Sequence, residues 1–231
     1  MRATDRVGDV DTLRLLGEGS RRKCYLLPSG DTCVKFYRRP ADYTAKTTPS
    51  IRLHIWLARH VRTLNVSLQE WRYLQKLRLR LPADLLSVFP DSIEPVYSPV
   101  YGWGIIESLI VNHDGSPMRR VIAELGRLTD PSLRQRLLEE TERLFENLAA
   151  WAVCFYDPPN VLVQWTSPRD FRLRIVDFEP SGRAAIPGLS LIKPYVRRKV
   201  RRRCARYLER LKTVYLAPPP HGADPQTARP V

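Results

Sequence analysis

The sequence predicts an α+β fold of two lobes, a five-stranded antiparallel amino-terminal lobe (N-lobe) followed by a minimal helical carboxy-terminal lobe (C-lobe). Three observations predict it. Short apolar runs separated by glycine turns fill residues 13–37, two more such runs surround Gly102–Gly104, and long segments with helical periodicity follow each group. With 231 residues, 43% of them hydrophobic, the chain is large enough for one compact body or two small lobes.

Residues 1–110 are predicted to form the N-lobe. The runs "TLRLLGEG", "KCYLLPSG" and "TCVKFYRR" predict three consecutive antiparallel strands. An irregular insertion follows, and helical patterns then run from Ile51 to Arg62 and from Ser67 to about Leu81. The segment "IEPVYSPVYGWGIIESLIV" supplies the last two strands, around a turn at Gly102–Gly104.

Residues 111–216 are predicted to form the C-lobe. A long amphipathic helix opens with Asp130 as the N-cap and Pro131 at the first helical position. The runs "NVLVQW" and "FRLRIVDF" predict two short strands, and a basic helix follows from about Lys193 to Leu216. The Pro-rich composition of residues 217–231 predicts a disordered tail.

The composition predicts a cytoplasmic protein with anionic partners. The formal net charge of +14 favours nucleotides, nucleic acids, phospholipids or lipopolysaccharide as partners. The alternative is that the charge has no specific partner, because Arg-rich chains are common in high-GC genomes. The four cysteines form no Cys-x-x-Cys pair, so a reducing cytosol fits better than a disulfide framework or zinc site. The amino terminus has no apolar signal-peptide core, and the longest apolar run, Leu148–Tyr156, is too short to span a membrane, so no transmembrane segment is expected.

The first group of candidate site residues lies in the N-lobe. Gly17 and Gly19 in "LGEGSRRKCYLL" form a turn whose backbone amides could approach phosphate oxygens, and Arg22 stands where a third glycine is usual. Lys35, on a half-buried strand, needs an acidic or phosphate partner. Glu70 is the candidate partner, although Ser67–Glu70 also matches a capping box, which would use the same carboxylate.

The second group lies in the C-lobe. Asn160 precedes one strand of the predicted hairpin and Asp177 ends the next, so both should lie at the same open end of the hairpin. Amide and carboxylate oxygens suit Mg²⁺ bound to substrate phosphates. The alternative is that both residues satisfy turn backbone, as Asn and Asp commonly do.

The order of these residues is that of protein kinases. A Gly-rich turn, a strand Lys, a helix Glu, an Asn before a strand and an Asp after the next one form the kinase series. The series predicts a protein-kinase-like fold with ATP and Mg²⁺ as cofactors.

The chain also resembles the PhoP regulatory network protein YrbL family, over residues 13–213. The resemblance begins at "LGEGSRRKCYLLPSGDTCVKFYR", with its Arg-Lys-Cys-Tyr signature, and extends through "DGSP", "PPNVLVQ", "VDFEPSG" and the basic helix. It implies a kinase-like protein linked to a PhoP-controlled bacterial stress response. The implied roles are phosphate contacts by Gly17, Gly19 and Lys35, orientation of that lysine by Glu70, and metal binding by Asn160 and Asp177.

Two departures put ordinary kinase chemistry in doubt. The position of the catalytic Asp, five residues before Asn160, is Phe155, and Glu179 replaces the glycine of Asp-Phe-Gly. Asp157 is the remaining candidate base, on the hypothesis that the loop is shifted. Only about 40 residues separate Asp177 from the end of the last helix, so we expect a small-molecule or envelope-component acceptor, or a nucleotide sensor, rather than a protein substrate.

Three functions stay open at this point: a Mg-ATP-dependent phosphotransferase, a pseudokinase acting as a nucleotide-dependent regulatory binding module, and a nucleic-acid-associated protein. The third would use the basic helix, where ten of the twenty residues Lys193–Lys212 are Lys or Arg. That charge also fits a solvated helix face. The acceptor or regulatory partner is not identified by the sequence.

Overall fold

The computed structural model describes residues 7, 9–19, 21–44, 48–176 and 192–216. The strands are β1 (Leu15–Glu18), β2 (Arg22–Leu26), β3 (Thr32–Tyr37), β4 (Ser92–Ser98), β5 (Gly102–Ser108), β6 (Arg119–Arg120), β7 (Val161–Trp165) and β8 (Phe171–Ile175). The helices are α1 (Pro49–His60), α2 (Val66–Arg78), α3 (Ala83–Leu86), α4 (Val121–Arg127), α5 (Pro131–Ala150) and α6 (Lys193–Leu216). Asp177, Glu179 and the Pro-rich tail, for which predictions were made, lie outside the described residues.

The five-stranded antiparallel sheet is confirmed, with strand order β1-β2-β3-β5-β4. Alternation of side chains gives the sheet two different faces. One face packs into an apolar cluster with Tyr25, Val34, Phe36 and Ile106 at its centre. Along β3 the opposite face presents Cys33 and Lys35, the positions paired with Glu107 and Ile105 of β5. The polar side chains of the predicted site therefore share the face that the first core does not use.

Helix α2 begins at Val66, one residue before the sequence predicts. Its N-cap is Asn65, whose Oδ1 accepts a hydrogen bond from the Leu68 amide. The Asn65 Nδ2 donates to the carbonyl oxygens of Ala58 and Trp103, which ties the start of α2 to α1 and β5. Ser67 is therefore inside the helix, and the alternative considered for Glu70, a Ser67–Glu70 capping box, does not form. This frees the Glu70 carboxylate from the helix terminus.

The C-lobe is built on α5 and α6, which pack against each other and share one apolar core with the β7–β8 hairpin. Asp130 caps α5 as predicted, accepting from the amides of Ser132 and Leu133. The apolar positions of α5 and α6 recur at helical spacing and form one large core with β7 and β8. The short elements α3, α4 and β6 were not predicted, because segments of two to seven residues are too short for a periodic signal.

The end of α5 directs the chain into the polar corner at residues 157–160. The Val153 amide donates to the Leu148 carbonyl at 2.9 Å and the Ala152 amide donates to the Ala149 carbonyl at 3.0 Å. This is the Schellman pattern, and it requires the left-handed conformation that Ala152 adopts with φ of 50°. The turn sends residues 153–156 through the core, so that the corner emerges on the side facing the sheet.

Two further predictions concern disulfides and membrane-spanning helices. No disulfide joins the four cysteines, all of which lie in the described ranges. None of the helices that the structure describes is both long and apolar enough to cross a bilayer.

Candidate functional site

A cavity of about 710 Å³ lies between the polar face of the sheet and the C-lobe. Its walls include Gly17, Gly19 and Lys35 from the N-lobe, and Asp157 and Asn160 from the C-lobe. Residues that are more than 100 positions apart in the chain therefore meet at one cleft. The volume is within the range of small-molecule sites, about 300–1,000 Å³. Val176, directly before Asp177, also lines this cavity.

The glycine turn leaves open space above its backbone. Gly17 is in β1, and the Gly19 amide closes the turn by donating to the Arg22 carbonyl at 2.8 Å. A methyl group built at Gly17 would meet no atom within 4 Å, and one at Gly19 would meet only the Arg22 carbonyl oxygen at 3.8 Å. The fold itself does not require glycine at these positions, so the space is available to a ligand that approaches the backbone closely.

Lys35 is held by a buried carboxylate from the neighbouring strand. Its Nζ lies 2.7 Å from an Oε atom of Glu107, and both side chains are nearly inaccessible to solvent. The pairing follows from the register of the sheet. Glu107 is opposite Cys33, and Lys35 lies two residues further along β3 on the same face, so the two side chains are diagonal neighbours. Sequence reasoning missed Glu107, since the register between β3 and β5 cannot be read from the chain.

Glu70 projects from α2 towards the start of β2. The Arg22 guanidinium donates to its carboxylate through two nitrogens, at 2.7 and 3.3 Å, and also to the Ser67 hydroxyl at 3.1 Å. The side chain of Glu70 is only 3% exposed, so this bidentate pair is largely shielded from water. Arg22 occupies the position of the third glycine and links the glycine turn to α2. A direct Lys35–Glu70 pair stays a prediction.

The Arg-Lys-Cys-Tyr signature has a structural account. Along β2 its side chains alternate between the two faces of the sheet. Arg22 binds Glu70, and Lys23 binds Asp42 at 2.8 Å. Cys24 lines the cavity, while Tyr25 packs edge-to-face on Tyr101 in the first core.

The Cys33 thiol of the cleft is not poised for catalysis. Cys24 and Cys33 lie on the cavity wall beside Lys35. The hydrogen bond that the Cys33 thiol makes to the Cys24 sulfur, and then burial, raise the pKa of Cys33 well above its usual value. The nucleophilic form of cysteine is the thiolate, so Cys33 is a packing residue at neutral pH.

Asp157 and Asn160 form the polar corner that opens β7. The Asn160 amide donates to the Asp157 carbonyl at 2.9 Å, and the Asn160 Nδ2 donates to an Oδ atom of Asp157 at 3.2 Å. The Val176 amide donates to the Asn160 carbonyl at 3.0 Å, which holds the end of β8 against the corner. Asp157 is exposed to solvent in the cleft, so it is chemically accessible.

Phe155 is a core residue. It is completely buried and stacks on Phe145 with ring centroids 6.3 Å apart. Its neighbour Tyr156 lines the cavity, and burial, followed by the nearby Cys154 thiol, raises the pKa of the Tyr156 hydroxyl so that it stays protonated. The position of the usual catalytic Asp therefore faces away from the cleft, and the first acidic side chain on the cleft side is Asp157.

The cavity wall has a cationic excess. Six lysines and arginines line it against three acidic residues, the cations being Arg21, Arg22, Lys23, Lys35, Arg120 and Arg203. No cluster of three or more His, Cys, Asp or Glu side chains with metal-binding geometry occurs within the described ranges.

The architecture is protein-kinase-like: a glycine turn joins β1 to β2, a lysine is on β3, a helix that carries Glu70 lies between β3 and β4, and an asparagine corner opens β7. No protein-family model matches the chain, and no curated protein matches it. Among solved structures, the chain is similar to the crystal structure of the BubR1 kinase domain at 13% identity, with a TM-score of 0.44. The match covers 72% of this chain but only 45% of that one.

Proposed function

We propose that the chain is a cytoplasmic, protein-kinase-like protein of the YrbL type that binds Mg-ATP in the cleft between its two lobes. The observation that supports this best is the shared cavity. Four of the residues that the kinase series requires line this one cavity: Gly17, Gly19, Lys35 and Asn160. The cationic excess of that wall favours a polyanionic ligand.

Each residue has a role in this proposal. The open backbone at Gly17 and Gly19 would receive phosphate oxygens, and Lys35 would bind the α- and β-phosphates once released from Glu107. Asn160 and Asp177 would hold Mg²⁺ together with the phosphates, and the metal would neutralise charge that develops during transfer.

If phosphate is transferred, Asp157 is the proposed base, because it is the exposed carboxylate in the catalytic corner. It would accept the proton of an acceptor hydroxyl. The acceptor would be a small molecule or an envelope component, and the process would belong to a PhoP-controlled stress response.

A thermal-shift series tests nucleotide binding. We expect ATP to raise the Tm only when Mg²⁺ is present, and we expect this rise to disappear in Asn160→Ala and Asp177→Ala. Asn147→Ala is the matched control, because Asn147 is an exposed residue of α5 outside the cleft cavity. A complete absence of Mg-dependent stabilisation in the wild-type chain, at millimolar ATP, would overturn the proposal.

A second function, a pseudokinase acting as a regulatory binding module, is favoured by the burial of Phe155 at the usual base position. Transfer of ³²P from ATP, measured with candidate acceptors, separates the two. We expect Asp157→Asn to lower turnover by about 10²–10⁴-fold, the usual contribution of a general base. Turnover that is unaffected would remove Asp157 from the mechanism, and binding without any turnover would favour the pseudokinase.

The nucleic-acid function depends on α6. Its solvent-exposed side chains include Arg197, Arg198, Arg201, Arg202, Arg203, Arg206 and Arg210. Such a face could bind an anionic surface with a strong dependence on salt. Salt-sensitive RNA or DNA binding that survives Asn160→Ala would favour this function over the two nucleotide-dependent ones.

A further inference from the structure

Helix α6 contains a lysine whose charge is buried without a counterion in the described part of the chain. Lys199 is 7% exposed, and its Nζ has no hydrogen-bond acceptor among the described residues. It lies 4.2 Å from the centre of the Tyr156 ring and 5.6 Å from that of Tyr195. Contacts with aromatic rings offset only part of the cost of removing an ammonium from water.

The neighbours of Lys199 connect it to the cleft. Tyr156 lines the cavity and directly precedes Asp157 in the corner. The Tyr156 hydroxyl is buried beside the Cys154 thiol, and burial raises its pKa, so it stays protonated. Lys199 itself lies behind the cavity wall, against the ring of a residue that directly precedes the proposed base.

A guanidinium completes this group. Arg203 is one turn beyond Lys199 on α6, so their side chains share a face of the helix. Its NH1 donates to the Tyr156 carbonyl at 2.8 Å, and the side chain lines the cavity. Arg120, the N-cap of α4, also lines this cavity.

We propose that Lys199, Arg203 and Tyr156 form an oxyanion subsite at the Asp157 end of the cleft, separate from the nucleotide phosphates, and that the acceptor is recognised there through a phosphate or carboxylate group. A guanidinium fork and an ammonium together suit such groups. The identification of the ligand as an acceptor depends on the proposed function. The binding of an oxyanion does not.

Titration with inorganic phosphate, at constant ionic strength with chloride, tests the subsite. We expect phosphate to raise the Tm of the full-length chain, both without nucleotide and in Asn160→Ala. Arg203→Gln and Lys199→Met should weaken this binding on the order of tenfold, the loss expected for one charge-assisted hydrogen bond. Arg202→Gln is the matched control, because Arg202 is an exposed arginine of α6 outside the cavity.

A second readout separates the subsite from simple packing. Lys199→Met removes an unpaired buried charge while preserving the volume of the side chain, so we expect a higher Tm than wild type in phosphate-free buffer. Phosphate stabilisation that is equal in wild type, Arg203→Gln and Lys199→Met, or absent in wild type, would overturn the subsite. Phosphate stabilisation that saturating Mg-ATP abolishes would assign the ion to the nucleotide site instead. Titration with citrate and with glucose 6-phosphate then distinguishes carboxylate from phosphate recognition.

Discussion

Replacing Phe155 with aspartate is expected to unfold the protein, and not to restore a kinase-type base. Phe155 is fully buried in the main core and stacks on Phe145. Loss of a buried phenylalanine costs about 3–5 kcal/mol, and a lone buried carboxylate adds a further desolvation penalty. Since domains are stable by roughly 5–15 kcal/mol, we expect the urea midpoint of Phe155→Asp to fall to near zero.

Phe155→Leu is the control for this change. It preserves apolar character and most of the volume, so a loss of about 1–2 kcal/mol is expected. Circular dichroism during urea denaturation measures both variants. A Phe155→Asp protein that folds with wild-type stability and transfers phosphate faster would show that residue 155 faces the cleft, which contradicts the packing described above.

Replacing Lys35 with methionine is expected to destabilise the chain by about 3 kcal/mol even without nucleotide, because it leaves the carboxylate of Glu107 buried and uncompensated. The Glu107 side chain is 6% exposed, and its ion partner within the described ranges is Lys35. A loss of ATP binding in Lys35→Met alone would therefore not distinguish a missing phosphate ligand from a damaged fold.

The double variant Lys35→Met/Glu107→Leu resolves this ambiguity. Replacing both members of a buried ion pair with apolar residues of similar volume is often neutral for stability. We expect the double variant to recover most of the lost free energy of unfolding and yet to bind Mg-ATP weakly. Equal stability of Lys35→Met and wild type in urea would contradict the Lys35–Glu107 pair.

The sequence predicted the strands and the long helices because their side-chain periods are local. Alternation along residues 13–37 placed Lys35 on the polar face, and Asp130-Pro131 marked the start of α5. The turn before β5 was placed at Gly102–Gly104, whereas it occupies residues 99–101 and β5 starts at Gly102. The position of a turn depends on how the two strands pair, and the positions of glycines alone do not fix that pairing.

The partners of the charged residues could not be predicted in the same way. The Arg22–Glu70 pair joins residues 48 positions apart, and the Lys35–Glu107 pair depends on a register set across the sheet. The role of α6 in the cleft was also missed, because Arg203 and Lys199 appeared as members of a uniform basic run. The available signal was Tyr195, one helical turn before Lys199, and such a pair occurs both in cores and on surfaces.

A crystal structure with Mg²⁺ and a non-hydrolysable ATP analogue tests the central claim most directly, through the distance from Lys35 Nζ to the nearest phosphate oxygen. We expect about 2.7–3.2 Å, hydrogen-bonding range, with the glycine turn over the phosphates and the metal on Asn160. A nucleotide bound outside the cleft, or phosphates that lie beyond the reach of both Lys35 and Asn160, would contradict the account.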